Sequence, residues 1–164
     1  MNDFKNGVEY LNKLRMLFYI LMGIPLTFFS VLFFMEKQDG ITPLLEFDNL
    51  GTLRLVLAIG CIGCASFAYI QYNRKLREVR TLTTLREKLS AHWSLNMMKY
   101  ALMEVSCLVP LTFFFLTADI FFKGLYVLMM VAMAISNPTI YTLLSDLRPR
   151  KAEGQILKTN QEIE

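Results

Sequence analysis

Three stretches of the chain, Met16 to Met35, Leu55 to Asn73 and Gly124 to Ser145, contain no charged side chain. A fourth, Val105 to Ala118, follows Glu104 directly and extends back to Tyr100 if that one acid is tolerated. A helix needs about 20 apolar residues to cross a bilayer, with about 17 as the lower bound. The pattern therefore predicts an all-α, polytopic membrane protein, a bundle of four transmembrane helices over about 16–35, 55–72, 98–117 and 120–136. A soluble domain of 164 residues could not hide a composition that is 54% hydrophobic, which excludes the alternative of four buried core helices.

Charge then sets the orientation. Of the 17 basic residues, 14 fall in the amino-terminal lead, in the segment between the second and third spans, or after the fourth. The opposite segments hold only Lys37, Arg54 and Lys123, and the first of them is acidic, with Glu36, Asp39, Glu46 and Asp48. This asymmetry predicts a multi-pass protein of the inner membrane with both termini in the cytoplasm. Orientation and anionic lipid headgroups account for the basic residues, so no nucleic-acid partner is expected.

Residues 1 to 15 form a polar lead ending in Lys13 and Arg15, and the run that follows is too long for a signal-peptide core, so it reads as an uncleaved first span. Gly23 and Pro25 are expected to bend it, because Pro25 cannot bond the carbonyl of Leu21. In the outer loop Thr42, Pro43 and Gly51 are a cap, a first helical position and a stop, which predicts a small helix. The second span carries Gly60, Cys61, Gly63 and Cys64, small residues that let a neighbouring helix approach closely. Beyond Tyr72 the helix is expected to continue outside the membrane, to break at Thr81 to Thr84, and to restart near Leu85 with Thr84 and Glu87 as a capping box. Residues 73–97 thus predict a cytoplasmic helical hairpin, with Trp93 near the interface and Arg74, Arg77 and Arg80 on its exposed part. Asn137 and Pro138 read as the cap and first position of an interfacial helix over 138–147, whose Ile140, Leu143, Leu144 and Leu147 form one apolar stripe. Residues 148–164 read as a polar, mobile cytoplasmic tail, the spans and their connections forming one domain over 1–147.

The third span is the unusual one. Asn96, Tyr100, Glu104 and Cys107 follow at steps of four, four and three and share a face. An acid inside an apolar span needs a partner, a proton or a wet cavity, which makes Glu104 the centre of a candidate intramembrane polar site. Its structural reading is a bond to Tyr19, Ser66 or Tyr69, or a reach to Arg15 or Arg74. Its functional reading is a protonatable site in a proton or cation path.

From Leu85 to Leu157 the chain resembles a group of small four-span membrane proteins common in Bacteroidota. The resemblance rests on Lys88-Leu89, on Lys99-Tyr100-Ala101-Leu102-Met103-Glu104, on Leu116 to Asp119, on Pro138-Thr139 and on Asp146-Leu147. Val105 stands where the group often has Gly, and Asn137 where it often has Arg. The resemblance implies the four-span architecture and singles out Glu104; it implies no chemistry.

Cys61-Ile62-Gly63-Cys64 has the spacing of a redox motif, and its setting resembles the quinone-linked oxidoreductases related to the bacterial disulfide-forming membrane protein. That chemistry needs a second thiol pair in an outer loop, and the outer loops carry no cysteine. One His and three Cys, spread over three helical regions, lack the spacing of a zinc site, and a hydrolase would lack a base. No enzyme activity, metal or cofactor is expected. The pair of helices with an acid in the second also resembles the rotor subunit of rotary ATP synthases, although that pair stands alone. The expected function is a scaffold or partner-binding subunit of an inner-membrane complex, in contact with the lipid bilayer and with a second copy or another membrane subunit. The alternative is proton- or cation-coupled transport through Glu104.

Overall fold

Three helices of more than 30 residues dominate the chain: α1 (Gly7–Gln38), α2 (Leu50–Thr81) and α3 (Leu85–Thr117). Three shorter ones follow, α4 (Ile120–Ile135), α5 (Ile140–Leu147) and α6 (Lys151–Lys158). The computed structural model describes residues 4–38 and 40–158, and among these there is no strand. The first three helices are each long and apolar enough to cross a membrane. A fourth span is counted if α4 and α5, bent at the break between them, are one element. At about 1.5 Å per residue the long helices exceed the thickness of a hydrocarbon core of about 30 Å.

Their apolar surface is turned outward. Only 17% of the most apolar window of α1 and 11% of that of α2 are buried. Ile20, Phe34, Val56, Ile59, Ile120 and Ile135 are all exposed. A protein in water would bury such residues; lipid removes the need.

The described chain forms two compact units. The first comprises described residues 4–19, 69–99 and 137–158. Its core contains Leu14 and Phe18 from α1, Leu76 and Val79 from α2, Leu89 from α3, and Leu143 and Leu147 from α5. The second comprises Ile20–Ala68 and Tyr100–Ser136. It buries Leu32, Cys107, Leu111, Phe114, Phe122 and Met133, with Met129 and Met130 as adaptable packing residues.

In the second unit ion pairs tie the start of α4 to its neighbours. Arg54 Nε is 2.7 Å from Asp119 Oδ2, and Lys123 pairs with Glu36. Asp119 also caps α4 by accepting from Phe121 N–H at 3.1 Å. Burial pushes its carboxyl up, but the bonds from Arg54 and Phe121 outweigh this and hold it below the usual carboxylate range.

Several local expectations are corrected. No helix forms around Pro43; Leu44 and Leu45 instead donate their N–H groups to the carbonyl of Leu116 at 2.8 and 3.0 Å, which holds that segment open. α2 starts at Leu50, with the Asn49 side chain accepting from Thr52 N–H. Pro25 lies inside α1, which the expectation of a bend allows, and its carbonyl accepts from Tyr126 at 3.1 Å. The cap of α5 is Thr139, not Asn137, with Thr139 and Thr142 bonding each other reciprocally. Pro138 stays outside that helix, and its carbonyl accepts from Arg15 Nε at 3.1 Å. The stretch after Pro149 is not wholly unstructured, since α6 forms and Leu157 is fully buried against Gly7. Residues 159–164 of the predicted tail lie outside the described residues.

Candidate functional site

The densest polar cluster lies in the first unit, around the chain's single histidine. His92, 2% exposed, sits on α3 with Asn96 and Lys99 at i+4 and i+7, so all three share a face. Tyr10 of α1 approaches Nδ1 at 2.6 Å, and Tyr72 of α2 approaches Nε2 at 3.0 Å. Tyr72 donates its hydroxyl proton to Asp146 Oδ2 of α5 at 2.6 Å. Asn96 Nδ2 donates to the His92 carbonyl at 2.9 Å and stands 3.1 and 3.2 Å from the two ring nitrogens.

These partners fix the tautomer. Tyr72 spends its proton on Asp146, so its oxygen accepts from His92, and Nε2 carries the hydrogen. Nδ1 is left as the acceptor for Tyr10. The result is one directed chain, Tyr10 to His92 to Tyr72 to Asp146, joining α1, α3, α2 and α5. Burial pushes the imidazole below its ordinary value, against the opposing pull of Asp146. His92 is therefore neutral at neutral pH, and its 3.5 Å approach to Asp146 is not an ion pair there. Burial also pushes the Asp146 carboxyl up, but hydrogen bonds from His92 and Tyr72 bring it below the usual range.

Basic side chains brace the cluster. Arg80 donates to the backbone carbonyls of Asp146 at 2.6 Å and Ser145 at 3.3 Å. Lys99 lies over the Tyr72 ring, 4.3 Å from its centre, a cation–π contact in a buried setting. Lys88, also buried, pairs with Glu153 of α6 at 3.2 Å.

The residues predicted to share a face of α3 have separate surroundings. Asn96 belongs to the His92 cluster. Tyr100 donates to the carbonyl of Ser136 at 3.2 Å, and Cys107 is fully buried. Glu104 is half-buried and enters no hydrogen bond or ion pair among the described residues of its own unit. Ser106 caps its own turn by donating to Leu102 O at 2.9 Å.

The three cysteines are free. Cys61 is buried, and the Cys64 thiol reaches the Leu102 carbonyl at 3.6 Å, which is helix packing between α2 and α3. Gly60 and Gly63 behave differently. A Cβ on either would meet nothing within 4 Å, so the close approach expected there is not made among the described residues. Leu57, Gly60, Cys61, Cys64, Val105 and Ser106 instead line an open, apolar groove.

The predicted contact residues divide in two. Arg74 and Arg77 are exposed and enter no ion pair among the described residues. Arg80 is committed to α5, and Trp93 packs its ring against Phe4 and Tyr10 at 5.4 and 6.0 Å. Among the described residues no group of three or more His, Cys, Asp or Glu could hold a metal ion. No family model, curated protein or solved structure matches this chain.

Proposed function

We propose that this is a four-span integral membrane protein of the bacterial inner membrane that serves as a scaffold or partner-binding subunit. The observation that carries the membrane reading is the outward-facing apolar surface of α1 and α2. The fourth span in this reading is α4, with α5 lying in the interface, and the basic asymmetry puts the His92 unit on the cytoplasmic side.

Partner binding is favoured by how the polar groups of that unit are used. Tyr10, Tyr72, His92, Asp146 and Arg80 satisfy one another and lock four helices together. Arg74, Lys75 and Arg77 stand exposed on the rigid surface that results. An acidic segment of another membrane subunit fits that charge.

The alternative, ion-coupled transport through Glu104, draws on a half-buried carboxylate without a bonded partner among the described residues. Reconstitution into liposomes separates the two. The scaffold reading expects no pH-dependent ion flux above empty liposomes. It also expects that a stoichiometric partner co-purifies in mild detergent and is lost on Arg74→Glu with Arg77→Glu, while thermal stability is kept. A wild-type flux that disappears in a stable Glu104→Gln protein would place the chain among transporters instead.

A further inference from the structure

The connection between α1 and α2 presents a cluster of apolar side chains to its surroundings. Leu44, Leu45 and Phe47 are 60, 47 and 37% exposed. Single surface hydrophobes are ordinary, but three within four residues of an irregular segment form a patch. We infer that residues 43–47 are an anchor in the lipid interface, with Leu44, Leu45 and Phe47 inserted among the upper acyl chains and the backbone at headgroup level. The inference rests on the membrane reading of the long helices, and it holds whichever way the protein faces.

Insertion of an irregular segment is normally opposed by its amide groups, which are costly in lipid when unpaired. That cost is removed at the centre of this one. Pro43 has no N–H to satisfy, and Leu44 and Leu45 donate theirs to the carbonyl of Leu116 at 2.8 and 3.0 Å. Three consecutive residues therefore carry no free backbone donor. The acceptor gains as well, since a carbonyl in the last turn of α3 has no partner inside its own helix.

The same two bonds set the depth. Leu116 closes the apolar run of α3, and three residues further on Asp119 pairs with Arg54 at 2.7 Å. Leu44 and Leu45 are thus pinned to the end of a span, where outward-facing side chains already meet lipid. This placement favours lipid over a soluble partner as the occupant. Glu46 and Asp48 flank Phe47, are exposed, and enter no hydrogen bond or ion pair among the described residues of their unit. Carboxylates stay among the headgroups, which limits insertion to the about 5–10 Å typical of interfacial segments.

The test needs one tryptophan at a chosen place, and the chain's own is Trp93. In a Trp93→Phe background, Phe47→Trp and Ile59→Trp are each prepared as the full chain, one copy per phospholipid nanodisc. Emission is quenched from water by iodide and from lipid by phospholipids brominated either high in the acyl chain or near its end. Ile59, exposed within the apolar run of α2, is the control. Phe47→Trp should lose most emission to the high bromines and little to iodide, and Ile59→Trp should lose most to the deep ones. Should Trp93→Phe fail to fold, a nitroxide at Leu45→Cys in a cysteine-free chain gives the same reading, relaxed more by oxygen than by an aqueous nickel chelate. Iodide quenching of Phe47→Trp beside lipid quenching of Ile59→Trp would overturn the anchor and leave the membrane reading standing. Iodide quenching of both would overturn both. Protection of Phe47→Trp from every quencher would show that the protein itself closes over the patch, and would also overturn the anchor.

Discussion

The Tyr72 hydroxyl stands between His92 and Asp146, 3.0 Å from Nε2 of one and 2.6 Å from Oδ2 of the other. It accepts from the imidazole and donates to the carboxylate, so two groups depend on one oxygen. Tyr72→Phe keeps the ring under Lys99 but leaves the Nε2–H and one carboxylate oxygen short of a partner. A loss of about 1–3 kcal/mol is expected from such a buried deletion. Thermal unfolding in detergent checks it, and an unchanged midpoint would mean the chain of bonds contributes nothing to stability.

The same cluster sets a pH dependence. His92 is held below its ordinary 6.5 in the folded state, so its neutral form stabilises the fold at higher pH. That contribution is complete above 6.5 and is lost as pH falls toward the depressed folded value. Asp146, also held below its ordinary 3.8, adds a second loss in stronger acid. Thermal stability should therefore fall as pH drops below 6.5 in the wild type, and fall less steeply in His92→Gln. A protein more stable in mild acid would reverse the sign.

Gly7 marks where α6 docks. A Cβ there would lie 2.7 Å from Leu157 Cα and 2.8 Å from its carbonyl oxygen, both backbone atoms that cannot swing away. Gly7→Ala should displace α6 and expose the carboxy-terminal segment to protease, with the rest of the unit intact. Equal protease resistance in wild type and variant would show that α6 does not rest on Gly7.

What the sequence disclosed and what it hid divides along physical lines. The long apolar runs and the Thr84 start of α3 were readable because hydropathy and capping are local properties. The α6 helix was not, since its short polar sequence gains its place through tertiary contacts, Leu157 against α1 and Glu153 with Lys88 of α3. The same holds for the site. His92, Asn96 and Lys99 share a helical face that spacing alone shows, yet Tyr10 and Asp146 are 82 and 54 residues from His92. Glu104 is conspicuous as an acid in an apolar run, whereas the cluster is built from residues that look ordinary at an interface.

The cysteines and glycines of α2 and Cys107 of α3 give a contrast in packing. Cys61→Ala with Cys64→Ala should leave the fold nearly intact, because Ala is also small. Cys107→Leu should cost about 1–3 kcal/mol by overpacking a fully buried site. Gly60→Leu and Gly63→Leu should be tolerated by the isolated chain, since open space faces both. Unfolding midpoints of the four proteins check this, and a collapse of either glycine variant would mean that the face is occupied.

The partner-binding reading depends on which segments lie on which side of the membrane. In a cysteine-free background, single cysteines at Gln38 and Lys123 should react with an impermeant thiol reagent from outside the cell membrane. Cysteines at Thr83 and Glu153 should react only after that membrane is opened. That pattern places the His92 unit and its basic surface in the cytoplasm; labelling of Thr83 or Glu153 from outside, with Gln38 and Lys123 protected, would contradict it.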